Sequence, residues 1–256
     1  MLRSSTIKKA LTRIYWVPTA LFVVAVPLFL ITASVTWAFN NPGVYQRGFE
    51  KYDISFVTGI TEADLTQVAA DIRGYFNSRT EPLQLRTRVF GQERDLFKPK
   101  EIVHMRDVKK LVRGVYVVAG VSALYLLLAT GAGFLRRGRN YFEVLSRRLL
   151  WGGGLTLALI IGVGLFALVG FDTLFLKFHQ LSFANDFWQL DSRTDFLVML
   201  FPQDFWFDAT MWVALRAVSG ALIISALAGG YLLYLRLGAT RTSGNSISTL
   251  EEAQEA

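Results

Sequence analysis

The chain has 256 residues, 52% of them hydrophobic, 14% aromatic and 18% charged, with a formal net charge of +7. So little charge beside so much apolar content excludes a disordered chain or a nucleic-acid-binding tail. Having no Cys, the chain has no disulfide, no thiolate nucleophile, no cysteine-ligated zinc or iron–sulfur cluster and no lipidated cysteine of its own.

Four stretches without Asp, Glu, Lys, Arg or His, at 14–39, 114–135, 149–169 and 217–235, come close to the about 20 residues that a bilayer core requires. The first follows the basic residues Arg3, Lys8, Lys9 and Arg13, as a signal peptide would. Its apolar run is too long for one, and Thr36-Trp37-Ala38 is too bulky a cleavage site, so it reads as an uncleaved anchor. Lys and Arg close to span ends stay cytoplasmic. Arg136, Arg137, Arg139, Arg147 and Arg148 crowd the second short connection against one acid, Glu143. The stretch 170–210 instead carries Asp172, Asp186, Asp191, Asp195, Asp204 and Asp208 against Lys177 and Arg193. Both termini are therefore expected inside. The resulting division is a cytoplasmic N-terminus 1–13, spans at 14–39, 113–135, 149–170 and 211–235, an extracytoplasmic cap 40–112, a cytoplasmic loop 136–148, an outer loop 171–210 and a cytoplasmic tail 236–256, disordered from 240. The expected fold class is an all-α transmembrane four-helix bundle with a small α+β extracytoplasmic cap. Gly152, Gly153, Gly154, Gly162 and Gly164 on the third span and Gly220, Gly229 and Gly230 on the fourth are material for close helix contacts, or simply lipid-compatible filler.

In the cap, Thr61-Glu62-Ala63-Asp64 reads as a helix start, and Leu65, Val68, Ala69, Ile72 and Phe76 follow at helical spacing. Leu83, Leu85, Thr87 and Val89 alternate with Gln84, Arg86 and Arg88 as a strand does, and Gly91 marks a turn into a second one. Pro99 suits the first position of a helix that runs through Arg113 into the second span.

That helix carries His104 at the edge of a face formed by Met105, Val108, Val112 and Val115, with Asp107 one turn on and able to touch it. Taken by itself, such a pair reads equally well as a solvated ion pair. After the third span, Phe171, Leu174, Phe175 and Phe178 form an apolar stripe that half-buries His179, which burial should keep neutral at pH 7 and able to accept a proton. These are the only two histidines in the chain, and charge-based topology puts both outside, each about ten residues from a span end. Around His179 lie Asn185, Asp186, Trp188, Asp191, Arg193 and Asp195, then Pro202, Asp204, Phe205 and Trp206. Arg216 falls two turns, about 12 Å, below Asp208, where its charge must snorkel or face a polar cavity.

The segments EKYDISFVTGI (50–60), EIVHMRDVKKL (101–111), FHQLSFANDFWQLDSRTD (178–195) and FPQDFW (201–206) resemble the bacterial lipoprotein intramolecular transacylase family, from the first anchor to the fourth helix. The resemblance implies four spans with an extracytoplasmic cap in the bacterial plasma membrane, diacylated lipoproteins and membrane lipid as partners, no nucleic acid and no cofactor. It implies transfer of the sn-2 acyl chain of the diacylglyceryl group to the α-amino group of the lipoprotein's N-terminal cysteine, giving the lyso form. The two histidines that carry catalysis in the family match His104 and His179. Ser192 departs from the family pattern, which has proline after the Asp at 191.

The residues suit that chemistry. An α-amine attacks an ester only when deprotonated, and the departing alkoxide must be protonated, so two imidazoles, or one used twice, suffice. Amine and ester hang from one cysteine, so proximity replaces a covalent intermediate, consistent with the missing Cys and the missing Gly-x-Ser-x-Gly elbow. In this reading His179 is the base and His104 the acid or orienter, an order the sequence barely decides. Asp107 fixes an imidazole tautomer and Asn185 donates to the oxyanion. Trp188, Asp191, Asp195 and Arg216 belong to the substrate-binding or supporting shell. Two alternatives remain: a metal-dependent membrane hydrolase using both histidines with Asp107 or Asp195, and a non-enzymatic binding or accessory subunit. The first lacks the i, i+4 spacing of His-Glu-x-x-His.

Overall fold

The computed structural model describes the side chains of residues 17–238. The basic residues at 3–13 and the tail read as disordered from 240 lie outside them. The chain divides into two compact units, one of 1–30, 121–159 and 218–256, the other of 31–120 and 160–217. Four long helices run through both: α1 (Leu2–Asn40), α5 (Pro99–Arg137), α6 (Tyr141–Ser182) and α8 (Gln203–Gln254). Among the described residues, three stretches are long and apolar enough to cross a membrane, Val17–Asn40, Pro99–Ser182 and Gln203–Gly238. The middle one holds α5 and α6, divided by a 3-10 turn at Gly138–Asn140. Their outer faces are apolar, with Leu124, Leu127, Leu128, Leu165, Leu222 and Leu227 exposed, as side chains that face lipid would be.

In the first unit the expected small-residue contacts form at two of the third-span glycines. A Cβ on Gly152 would fall 2.7 Å from Val26 of α1, and one on Gly153 would strike Ser225 of α8, while Gly154 meets nothing within 4 Å. Close approach at Gly152 and Gly153 is therefore real packing, and the other glycine next to them is filler.

The second unit contains α2 (Pro42–Lys51), α3 (Ile54–Thr58), α4 (Glu62–Asn77), the antiparallel pair β1 (Arg86–Val89) and β2 (Gln92–Asp95), and α7 (Phe196–Leu200), with the adjoining parts of the long helices. Thr61 caps α4 by accepting the Asp64 N–H at 3.2 Å. The helix buries Leu65, Val68, Ala69, Ile72 and Phe76, the face its spacing predicts. Regular strand pairing is shorter than the alternation implied, but Leu83, Leu85, Thr87 and Val89 are all buried. Phe90 and Gly91 link β1 to β2 with φ of 50° and 79°, the mirror-image turn that matches strand twist. Ile54, Ile60, Leu65, Ile72, Leu96 and Leu200 form the centre of the core. Helix α5 starts at Pro99 and runs unbroken to Arg137. Helix α6 is broken at Gly170, whose φ of −150° and ψ of 41° are non-helical, so the segment bearing His179 departs from the direction of the span before it.

Candidate active site

His104 comes from the second turn of α5 and His179 from the last turn of α6, and both are buried, 7% and 8% exposed. Their ring centroids are 5.9 Å apart with planes inclined by 31°. Aromatic residues surround the pair. Phe183 stands edge-on to His104 at 4.9 Å, while Phe175 and Trp188 lie 4.3 and 5.3 Å from the His179 ring.

The His179 Nδ1 lies 2.8 Å from the Phe175 carbonyl oxygen, one turn earlier on α6. A carbonyl only accepts, so Nδ1 carries the proton and the lone pair of the neutral ring sits on Nε2. Burial pulls this imidazole below its ordinary pKa, and the bond to Phe175 opposes that pull. Burial pushes His104 further, down to about 4, with the His179 ring acting in the same sense and Asp107 against it. Both rings are neutral at pH 7. The His104 Nδ1 is buried and has no hydrogen-bond partner among the described residues, which makes this ring the site's unsatisfied polar group.

Among the described residues no hydrogen bond joins His104 to Asp107, although the carboxylate lies near enough to favour the charged imidazole. Asp107 instead accepts from Lys110 Nζ at 2.8 Å and from Asn185 Nδ2 at 2.9 Å. Helical spacing brought Asp107 within reach of His104, but two donors compete for its carboxylate and the imidazole turns inward. Asn185 is correspondingly committed, because its Oδ1 accepts the Phe187 N–H at 3.1 Å. It ties the loop after α6 to α5 through one of the two N–H groups of its amide.

Asp195 is fully buried and accepts from Lys98 Nζ at 2.9 Å, Lys100 Nζ at 2.5 Å and the Asp191 N–H at 2.7 Å. Burial would raise its pKa, but the two lysines hold it well below the usual carboxylate range. It holds the loop and is not available to an ammonium. Asp191 is exposed and closes a local turn by accepting the Arg193 N–H at 2.9 Å. Arg216 does not line the site; its guanidinium stacks 4.7 Å from the Trp37 ring centroid. A metal reading needs a third ligand beside the histidines. Among the described residues no group of three such side chains converges, and the carboxylates nominated for it are engaged by Lys110 and Asn185 or by Lys98 and Lys100.

Both histidines open onto a cavity of about 1380 Å³, above the roughly 300–1,000 Å³ of an ordinary ligand pocket. His104, His179, Asn185, Trp188 and Lys100 are among its polar lining. Val35, Val115, Phe171 and Val213, from four different helices, line its apolar remainder.

A sequence model of the family described as lipoprotein intramolecular transacylase Lit matches residues 20–206. The chain belongs to this transacylase family. The solved membrane-integral Lit of Bacillus cereus is similar in fold, with a TM-score of 0.73 at 15% identity over 88% of this chain and 99% of that one. A variant of that protein with one histidine replaced by arginine gives 0.71 at 16% identity, over 93% and 100% of the two chains. An uncharacterized protein of Aquifex aeolicus is 28% identical over 128 residues, 50% of this chain and 54% of that one. The chain thus matches about half the length of that curated relative.

The arrangement offers one imidazole with its tautomer set, a second beside it, and a large, mostly apolar chamber. Sequence reading missed Glu101, Lys98 and Lys100, which hold the loop to α5, and Phe183, which packs edge-on against the His104 ring. Glu101 had a visible signal, since an acid two residues after a helix-opening proline is where a capping carboxylate belongs.

Proposed function

We propose that this chain is a lipoprotein intramolecular transacylase acting in the bacterial plasma membrane. In this reading α1, α5, α6 and α8 supply four spans, both termini are cytoplasmic, and the cap and histidine site face outward. The substrate is a lipoprotein whose N-terminal cysteine bears a diacylglyceryl group. Its free α-amine attacks the sn-2 ester carbonyl carbon, forming the C–N bond and passing its proton to His179 Nε2. As the tetrahedral centre collapses, the bond to the sn-2 oxygen breaks. The imidazolium returns that proton to the oxygen, directly or by relay through the neighbouring His104, and both rings end neutral. The amide and a free sn-2 hydroxyl result, with no net gain or loss of protons. Buried neutral rings favour this course, because a ring charged at rest could not take the first proton.

The observation that carries the reading is the His179 Nδ1 bond to Phe175, which leaves a lone pair on Nε2 beside a second histidine in the wall of a largely apolar cavity. The test is expression in a host lacking its own lipoprotein N-acylation, followed by mass spectrometry of lipoprotein N-terminal peptides. N-acyl, lyso-form peptides are expected. An unchanged diacylglyceryl terminus in cells holding well-inserted protein defeats the proposal.

A further inference from the structure

On α8, Asp208, Trp212 and Arg216 follow at intervals of four residues and form one rib along the helix. Each rung takes a partner from α1 or α2. Asp208 accepts from Lys51 Nζ at 2.5 Å and Tyr52 Oη at 2.8 Å. Trp212 receives the guanidinium of Arg47 at 5.2 Å, and Arg216 lies over Trp37 at 4.7 Å. The upper rung is compensated in charge; the lower two are not. Arg47 and Arg216 are exposed, and neither makes an ion pair among the described residues, although Glu50 stands one turn from Arg47.

Two cations so placed need an explanation. Arg216 falls inside the fourth span, where an uncompensated charge is costly and must reach toward the headgroup layer. A ring beneath a guanidinium fixes its plane and leaves the N–H edge free, the geometry that grips a phosphate with two parallel hydrogen bonds. Trp212 and Arg216 occupy consecutive turns, so the two guanidiniums lie on one side of one helix.

We infer that Arg47 and Arg216, stacked on Trp212 and Trp37, form a binding site for the phosphate of an anionic phospholipid headgroup. Two positive charges, neither held in an ion pair among the described residues, select a lipid of net negative charge over a zwitterionic one, whose own cation would be repelled. The site is separate from the histidine cavity. The proposed substrate has a diacylglyceryl thioether and no phosphate, so this site can fail without touching the transacylase reading, and the reverse.

The test is native mass spectrometry of the full chain in detergent, with phosphatidylglycerol, phosphatidylcholine or inorganic phosphate added at equal concentration. Retention of phosphatidylglycerol at about fivefold or more over phosphatidylcholine is expected, with no adduct from inorganic phosphate. The double variant Arg47→Gln/Arg216→Gln should bring phosphatidylglycerol down to the phosphatidylcholine level. Arg94→Gln, which removes a charge stacked on Phe196, should not. Equal retention of the two lipids by the unaltered protein overturns the inference even if the double variant does not fold. So does undiminished phosphatidylglycerol binding by a folded double variant, and so does phosphate binding without lipid preference.

Discussion

Glu101 and Asp195 each cap the other's end of the site. Glu101, in the first turn of α5, accepts the Leu197 N–H at the start of α7 at 2.6 Å and the Lys98 N–H ahead of its own helix at 2.8 Å. Asp195, ahead of α7, takes Lys98 and Lys100 from the start of α5. Both carboxylates are 0% exposed, and burial pushes the pKa of Glu101 up. The pair clamps the segment 183–195, with Asn185 and Trp188, onto the helix that carries His104 one turn beyond Glu101.

Glu101→Gln should therefore lower both stability and turnover. An amide has one acceptor oxygen, so one backbone N–H loses its partner and faces an NH₂ group, at a cost of about 1–3 kcal/mol. Asp195→Asn leaves two lysines unpaired, but both are partly exposed and can turn to water, so its cost belongs in the same range and not at the higher value of a sealed pair. Thermal unfolding in detergent measures the first effect. A fall in kcat larger than any rise in KM is expected, since the clamp sets geometry and touches no substrate.

Replacing either histidine by glutamine should abolish accumulation of lyso-form lipoprotein, with rate losses of about 10²–10⁴ if proton transfer is the function lost. His179→Gln should be the more damaging, because the Nε2 lone pair is the group proposed to take the amine proton. Melting temperatures within a few degrees of the parent protein would separate lost chemistry from lost folding. Full activity in both variants would leave the accessory-subunit reading standing.

Acid should destabilise the protein before it silences the site. His104 titrates near 4 when folded and near 6.5 in its ordinary state. Between these values the unfolded chain binds the extra proton, so stability is full above about pH 6.5 and falls as pH drops toward 4, by at most about 3 kcal/mol. The His179 shift, also downward, acts in the same direction. Activity near neutrality should instead follow the substrate's α-amine and rise up to about pH 8. A pH series of melting temperatures beside one of initial rates distinguishes the two limbs.

The long helices, the cap helix α4, the hairpin and the proline start of α5 were legible because each is written in local signals: apolar length, a capping Thr, alternation, a fixed φ. The meeting of His104 and His179 was legible for a different reason, since charge bias at the span ends put both on one side. What escaped was competition between partners far apart in the chain. Nothing near Asp107 announces that Asn185, 78 residues on, will take its carboxylate from His104. The break at Gly170 was equally silent, because a glycine inside an apolar helix reads as ordinary filler. The stack of Arg216 on Trp37 was not legible, because it depends on how α1 and α8 face each other.

Asn185 permits a test in which damage should be partly undone by pH. Its amide donates to Asp107, whose carboxylate Lys110 and that same bond hold below the ordinary range against the effect of burial. Asn185→Asp sets a second carboxylate against the first, and at pH 7.5 the repulsion should push the loop and Trp188 away from His179, lowering kcat/KM about tenfold or more. Two carboxylates sharing one site raise one pKa strongly. On acidification one of them takes up a proton and regains the donor that the amide supplied. The rate of the variant relative to the parent protein should thus rise as pH falls toward 5, while Asn185→Ala, which cannot recover a donor, keeps a constant ratio. A variant-to-parent ratio that stays flat for Asn185→Asp would show that the Asp107 bond does not position the loop for catalysis.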